Sequence, residues 1–324
     1  MDFCHLHIHN EYSQLDGLGT AKQYVSKAKK LGFEYLGLTN HGNIDGLIKF
    51  QDECLKQDIK PVLGFEGYIV EDIKDHSKKN KRHHISIWVK NQTGWGNVCS
   101  LLTEANLKGF HRKPRISFKH LLDHCEGLVI GTACIATFLN HKNGKRLFRR
   151  LSEKIGNDLY VEIMPHDFDL QYIVNQKVIQ IAKRTGHKII VTNDCHYVDR
   201  ADWKAHEVLL AVQRSAKWDD PKRWKFSFKG LHLRSTKEMI KQMKKTNCYK
   251  KEYLSNTIEI AEKCYDFRIE KREVKLPRVN NILPKKELYF VEDICRKKLF
   301  DLAAEGYFKN LSNTNYEIRL QTEL

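Results

Sequence analysis

No apolar run in these 324 residues approaches the roughly 20 residues that a membrane-spanning helix needs, which excludes an integral helical membrane protein. The first residues, Met1 to His5, lack the basic and then apolar stretches of an export signal, so the expected location is the cytoplasm. Without export, the nine cysteines read as reduced thiols or metal ligands rather than disulfides. No internal repeat or low-complexity tract interrupts the chain. Acid is scarce: 40 Asp and Glu stand against 56 Lys and Arg, a formal net charge of +16.

The remaining composition is ordinary for a soluble globular protein, with 41% hydrophobic and 30% charged residues. The length suits one large domain or two smaller ones. The positive excess fits a phosphate-rich partner, because each neutralised phosphate releases counterions. It also fits a lysine-rich solvated surface. Arg112, Lys113, Arg115, Lys222 and Arg223 are the candidate nucleic-acid contacts. The stretch Trp218 to Phe228 interleaves aromatic and basic residues. That pattern suits stacking on a single strand, and equally a packed loop anchored by its aromatics.

Short apolar runs alternate with amphipathic segments. Residues 35–39, 61–65, 85–89, 128–131, 159–163 and 188–192 read as strands. Between them fall helical patterns near 21–31, 45–57, 94–107 and 117–124, and through Tyr172, Val178 and Ala182. Nearly all-apolar strands separated by helices predict a parallel sheet covered by helices. About seven such units close into a barrel, whose chemistry belongs at the C-terminal strand ends. Beyond Trp203 the pattern turns helical, near 202–213, 235–245 and 250–264. Residues 270–286 read as a linker, 287–305 as a helix, and 316–324 as the start of another.

Donor residues recur at those strand ends. In His5-Leu6-His7-Ile8-His9, alternation predicts that the three imidazoles share a face. His41 follows one strand and Glu66 ends another; a buried carboxylate there needs a cation or a proton. His84 heads an apolar strand, with His83 as the alternative donor. Cys134 reads equally as a small buried thiol, and Asp16 as a turn residue. Asp194-Cys195-His196 repeats the spacing of His7 and His9.

His7-Ile8-His9, Tyr12 to Gly17, Thr39-Asn40-His41-Gly42, Gly64-Phe65-Glu66, His84, Cys134 and Asn193 to His196 together resemble the motifs of PHP (polymerase and histidinol phosphatase) domains. The likeness is nearest to the PHP domain of bacterial DNA polymerase III α subunits. Residues 109–116, Asp220-Pro221, Phe226-Ser227 and 303–306 extend it over essentially the whole chain. The resemblance implies an α/β fold: a distorted seven-stranded (β/α)7 PHP barrel with a helical C-terminal extension, holding up to three divalent metals. It implies a barrel domain with helical additions over 1–270, then a linker and the start of a region leading into a polymerase palm over 271–324. It assigns the ligand places to His7, His9, Asp16, His41, Glu66, His84, Cys134, Asp194 and His196. Asn40 departs from the Asp usual in the family.

The mixed nitrogen, oxygen and sulfur set suits Zn²⁺ or Mn²⁺ better than Mg²⁺, with Fe a further candidate. The expected chemistry is phosphoester hydrolysis by a metal-activated hydroxide, with Glu66, Asp194 and His196 at its centre. The resemblance implies 3′–5′ exonuclease action on DNA, within or beside a DNA polymerase. No Asp-x-Asp pair follows residue 272, so the chain reads as one piece of a split polymerase whose palm lies on a partner chain, a truncated copy or a free-standing nuclease. A metal-stabilised scaffold docking a polymerase core or proofreading partner is the main rival. A small-molecule phosphatase of the histidinol phosphate type is the other.

Overall fold

A computed structural model describes residues 3–77, 80–226, 228–270, 286–306, 318–320 and 322. They fall into two compact units, Met1–Ile269 and Glu270–Leu324. Residues 271–285 of the expected linker at 270–286, with most of the expected tail helix, lie outside the described residues.

Seven strands form one curled sheet: β1 (Tyr35–Leu38), β2 (Lys60–Val70), β3 (His83–Val89), β4 (Arg115–Ser117), β5 (Leu128–Gly131), β6 (Leu159–Ile163) and β7 (Ile189–Val191). The order along the sheet is β1-β2-β3-β5-β6-β7, and β4 branches off β2. The α/β barrel class stands, but the strands are not all parallel as expected. β3 runs antiparallel to both β2 and β5. A parallel return needs a long crossover, usually a helix. The polar segment 71–82 joining β2 to β3 contains no helix among its described residues.

Residues 5–9 form no continuous strand. They bridge the sheet's two ends, pairing singly with β1 and with the chain just after β7. Gly37 and Thr39 donate backbone N–H to the carbonyls of His5 and Ile8; His9 donates to Cys195, and Cys195 to His7. This segment closes the seam.

Helices cover the outside. α1 (Ala21–Lys30) opens on a capping box between Thr20 and Gln23. α2 (Leu47–Lys56), α3 (Gln92–Leu107), α4 (Phe118–Asp123), α5 (Gly144–Ile155) and α6 (Asp169–Thr185) follow in order. Leu36, Leu38, Leu63, Phe65, Ile85, Ile87, Val161 and Ile163 belong to the main buried core with residues from these helices. Each such side chain contributes about 1.5–3 kcal/mol by leaving water. α7 (Trp203–Gln213), α8 (Thr236–Lys245) and α9 (Lys251–Cys264) complete the first unit. In the second unit α10 (Glu287–Ala304) is the main described element.

Candidate metal centre

Strand alternation sorts the barrel interior into layers. The lowest is apolar: Leu6, Val62, Trp88, Val129, Tyr160 and Ile190 pack with Ile260, Ala261 and Cys264 of α9, which plug that end. Two residues further along their strands come Ser86, Gly131, Glu162 and Thr192. Gly131 is required here, because a Cβ would meet the Trp88 ring at 2.8 Å and a Glu162 oxygen at 3.0 Å. Two residues further again come His84 and Asp194; on β2, Glu66 pairs with Ser86 and its carboxylate reaches up to His84. Asp194 has φ 49°, a left-handed conformation uncommon for a residue with a side chain.

All nine candidate ligands converge at this upper rim. Glu66, 1% exposed, is central: Oε1 lies 3.1 Å from His84 Nδ1 and 3.4 Å from His7 Nε2, and Oε2 lies 2.8 Å from His41 Nδ1 and 3.7 Å from His9 Nε2. Asp194 Oδ1 is 3.2 Å from His9 Nε2, 3.4 Å from His7 Nε2 and 3.6 Å from His196 Nδ1. Asp16 reaches His41 Nε2 at 3.3 Å and His196 Nε2 at 3.7 Å. Cys134 Sγ lies 3.3 Å from His84 Nδ1.

Glu66 Oε1 and Oε2, Asp16 Oδ1, Asp194 Oδ1 and His41 Nδ1 are buried without a hydrogen-bond partner in proper geometry. Short separations without donor-to-acceptor alignment are what lone pairs aimed at a shared cation produce. Unpaired buried carboxylate oxygens are costly otherwise. Three triplets of donor atoms lie within 4.8 Å of one another: His9-His41-His196, His7-His9-Glu66 and His41-Glu66-His84. The residues present therefore fit divalent cations.

Neighbouring side chains fix which imidazole nitrogens face inward. His7 Nδ1–H donates to Glu162 Oε1 at 2.7 Å, turning Nε2 toward the cluster. Glu162 also accepts from the hydroxyls of Ser86 (2.7 Å) and Thr192 (2.5 Å). His9 Nδ1–H donates to Ser13 Oγ at 2.9 Å, and Ser13 donates to Asn40 Oδ1 at 3.0 Å. Such partners orient a ligating imidazole and raise its basicity.

The electrostatics follow. Burial disfavours the charged form of His41, but Glu66 and Asp16 outweigh it and raise its pKa to about 10. Burial likewise opposes charge on His7, and Glu162, Asp194 and Glu66 override it upward. His9 goes the other way: burial and then His41 push it down to about 3. Burial alone would raise Glu66, yet His84, His7 and His41 hold its carboxyl well below the usual range.

Residues 5–166 match the family model for the PHP domain. The chain belongs to the PHP domain family. Its curated relatives include DNA polymerase III subunit alpha from Borreliella burgdorferi, 34% identical over 281 residues, covering 82% of this chain and 24% of the relative. The subunit of the same name from Helicobacter pylori is 36% identical over 296 residues, covering 85% and 24%. The chain thus spans about a quarter of these relatives' length. A solved structure described as a candidate metal-dependent phosphoesterase from Bifidobacterium adolescentis is 12% identical, with a TM-score of 0.44 over 74% of this chain and 96% of that one.

Several expectations for this PHP domain need correction. His5 does not share the face of His7 and His9: its Nε2 faces the Arg234 carbonyl at 2.8 Å, and its ring packs edge-on against Phe3 and Phe33. Of the two adjacent histidines, His84 enters the cluster, while His83 packs against His141. Arg115 cannot contact nucleic acid from its present place: it is 3% exposed and ties together the carbonyls of Gly109, Ile73 and Asp75. Arg223 is likewise committed, to Glu207 at 2.8 Å and to the Trp218 ring. Arg112 and Lys222 are exposed and Lys113 half-buried. Phe226 packs on His196 and His206, so the 218–228 stretch is at least partly a packed loop.

Three residues escaped the sequence reading. Glu162 carried a usable signal, a carboxylate within an apolar run, the same argument that singled out Glu66. His206 of α7 is buried, with Nε2 unpaired and 3.9 Å from Asp16 Oδ1; nothing in its helix announces this. Tyr68 stacks on His41, and Arg82 and Lys113 lie over its ring.

Proposed function

We propose that this PHP domain is a metal-dependent phosphoesterase that removes nucleotides from the 3′ end of DNA in the cytoplasm, within or beside a DNA polymerase. One observation carries the proposal: unpaired buried carboxylate oxygens and inward-turned imidazoles meet at a single barrel rim. His7, His9, Asp16, His41, Glu66, His84, Cys134, Asp194 and His196 would hold up to three cations, of which Zn²⁺ and Mn²⁺ suit the donors best. Bound there, the cations supply charge neutralisation for a phosphate and a water acidified toward neutral pH. Glu162 and Ser13 hold His7 and His9 in the tautomers with Nε2 facing inward. Arg82 and Lys113, grouped over Tyr68, offer positive charge to a phosphate backbone beside His41. Lys222 and Arg112 remain candidate contacts further out.

The test uses the full chain purified with Mn²⁺ or Zn²⁺ and a 3′-labelled single strand. Cleavage is expected, with loss in His9→Ala and Asp194→Ala variants that retain the wild-type circular dichroism spectrum. A phosphomonoester cleaved in place of DNA would indicate the small-molecule phosphatase. No cleavage of either, with a large fall in melting temperature on chelation, would indicate the scaffold. The exposed Leu288, Tyr289 and Phe300 of α10 give the scaffold reading specific support, because apolar side chains on a helix suit docking.

A further inference from the structure

A cavity of about 580 Å³ opens between segment 228–234 and α8, lined by residues outside the metal cluster. Arg200, Lys229, His232, Arg234, Lys241 and Lys245 line it, against Asp167 and Glu238. Both acids are already engaged. Asp167 pairs with Lys245 at 2.5 Å, and Glu238 Oε2 accepts the N–H and hydroxyl of Ser235 in the cap of α8. Arg200, Lys229, Arg234 and Lys241 have no carboxylate within ion-pair distance among the described residues. The cavity therefore carries a surplus of positive charge.

His232 is the independent sign that a ligand belongs here. It is 7% exposed, and neither ring nitrogen has a hydrogen-bond partner. The carboxylate oxygen Glu238 Oε1 lies 3.8 Å from its Nε2, too far for a hydrogen bond. A buried imidazole with no partner is costly unless something else supplies one. Arg234, 6% exposed, is held by Nε donating to the Gly230 carbonyl, with its guanidinium over the Phe228 ring at 5.5 Å. Phe228 is itself braced by stacking on His166 at 4.7 Å.

We propose that this cavity binds a nucleoside monophosphate. The arginines and lysines take the phosphate, for which a planar guanidinium fork is well matched. His232 supplies a further hydrogen bond, and the edge of the Phe228 ring gives the base an apolar contact. The volume lies within the roughly 300–1,000 Å³ typical of small-ligand sites. The cavity is also tied to the metal cluster: Asn193 Nδ2 donates to the carbonyls of Gly230 (2.9 Å) and His232 (2.8 Å), one residue before Asp194. Binding here does not require that the cluster hydrolyse DNA.

The test is calorimetric titration of the full metal-loaded chain with deoxyadenosine monophosphate, deoxyadenosine and inorganic phosphate. Saturable binding of the nucleotide is expected, with the nucleoside and phosphate each weaker by about tenfold or more. The paired charge reversal Arg200→Glu with Lys241→Glu, both on exposed side chains, should weaken nucleotide binding by about tenfold or more. Arg200→Gln with Lys241→Gln serves if the reversal does not fold. Undetectable nucleotide binding, equal affinity for nucleoside or phosphate, or unchanged affinity in the folded variant would each overturn the proposal. The last outcome would assign the nucleotide to the metal cluster instead.

Discussion

Asn40 Oδ1 accepts the backbone N–H of Asn10 and the hydroxyl of Ser13, while its Nδ2 donates to Asn10 Oδ1 at 2.8 Å. Asn10 Oδ1 also accepts the N–H of Tyr12. Asn40→Asp, which restores the family's usual residue, would set two oxygens against each other. Flipping Asn10 to relieve them would forfeit the Tyr12 bond. The substitution is expected to cost about 1–3 kcal/mol, read as a lower denaturation midpoint. An unchanged midpoint would refute this account of the Asn10–Asn40 pair. Glu162→Gln tests the other support. It keeps the shape but removes the charge beside His7, so metal affinity should fall about 10–100-fold in a competition titration. Unaltered affinity would reduce Glu162 to a packing residue.

Among elements, Gly37 of β1 couples strand packing to the site. A Cβ there would lie 2.7 Å from the Leu6 backbone. Gly37→Ala should push residues 5–9 off the seam, lowering the melting temperature and metal affinity together. A stability loss with full affinity would show that His7 and His9 are positioned some other way. Six of the seven strands were legible because each contains a short apolar run that little else could accommodate. The residues gathered at the rim were legible mainly through the resemblance to PHP motifs; alternation by itself paired only His7 with His9 and Asp194 with His196. The direction of β3 was not, because an apolar run carries no sign of its partner's orientation. β4 is three residues long and too short to show a period. His5 misled because alternation holds only in a continuous strand, and residues 5–9 make isolated bridges. Arg115 and Arg223 look like surface charges until their acceptors, brought by tertiary packing, are known.

For the whole molecule, removing the cations should lower the melting temperature, and Mn²⁺ or Zn²⁺ should restore it, since a ligand bound only by the native state stabilises by mass action. In metal-free protein, protonated His7 and His41 offset the carboxylates. The folded pKa of His41, about 10, lies above its ordinary 6.5. Its contribution to stability is therefore complete below pH 6.5 and is lost as pH rises toward 10. Metal-free protein should melt at progressively lower temperature across that window, and metal-loaded protein should not show the His41-dependent loss. Loading should also expel protons, measurable as acidification of a weakly buffered solution. A pH-independent melting temperature without metal, or loading with no acid release, would count against the assigned protonation.

The donors run from His7 to His196, and the seam closes only when Cys195 meets residues 7–9. A nascent chain leaving the ribosome therefore carries its first histidines long before Asp194 and His196 exist to join them. On the proposed reading, cation capture waits for the meeting of residues 7–9 with 194–196, so uptake of metal would report that the seam has closed.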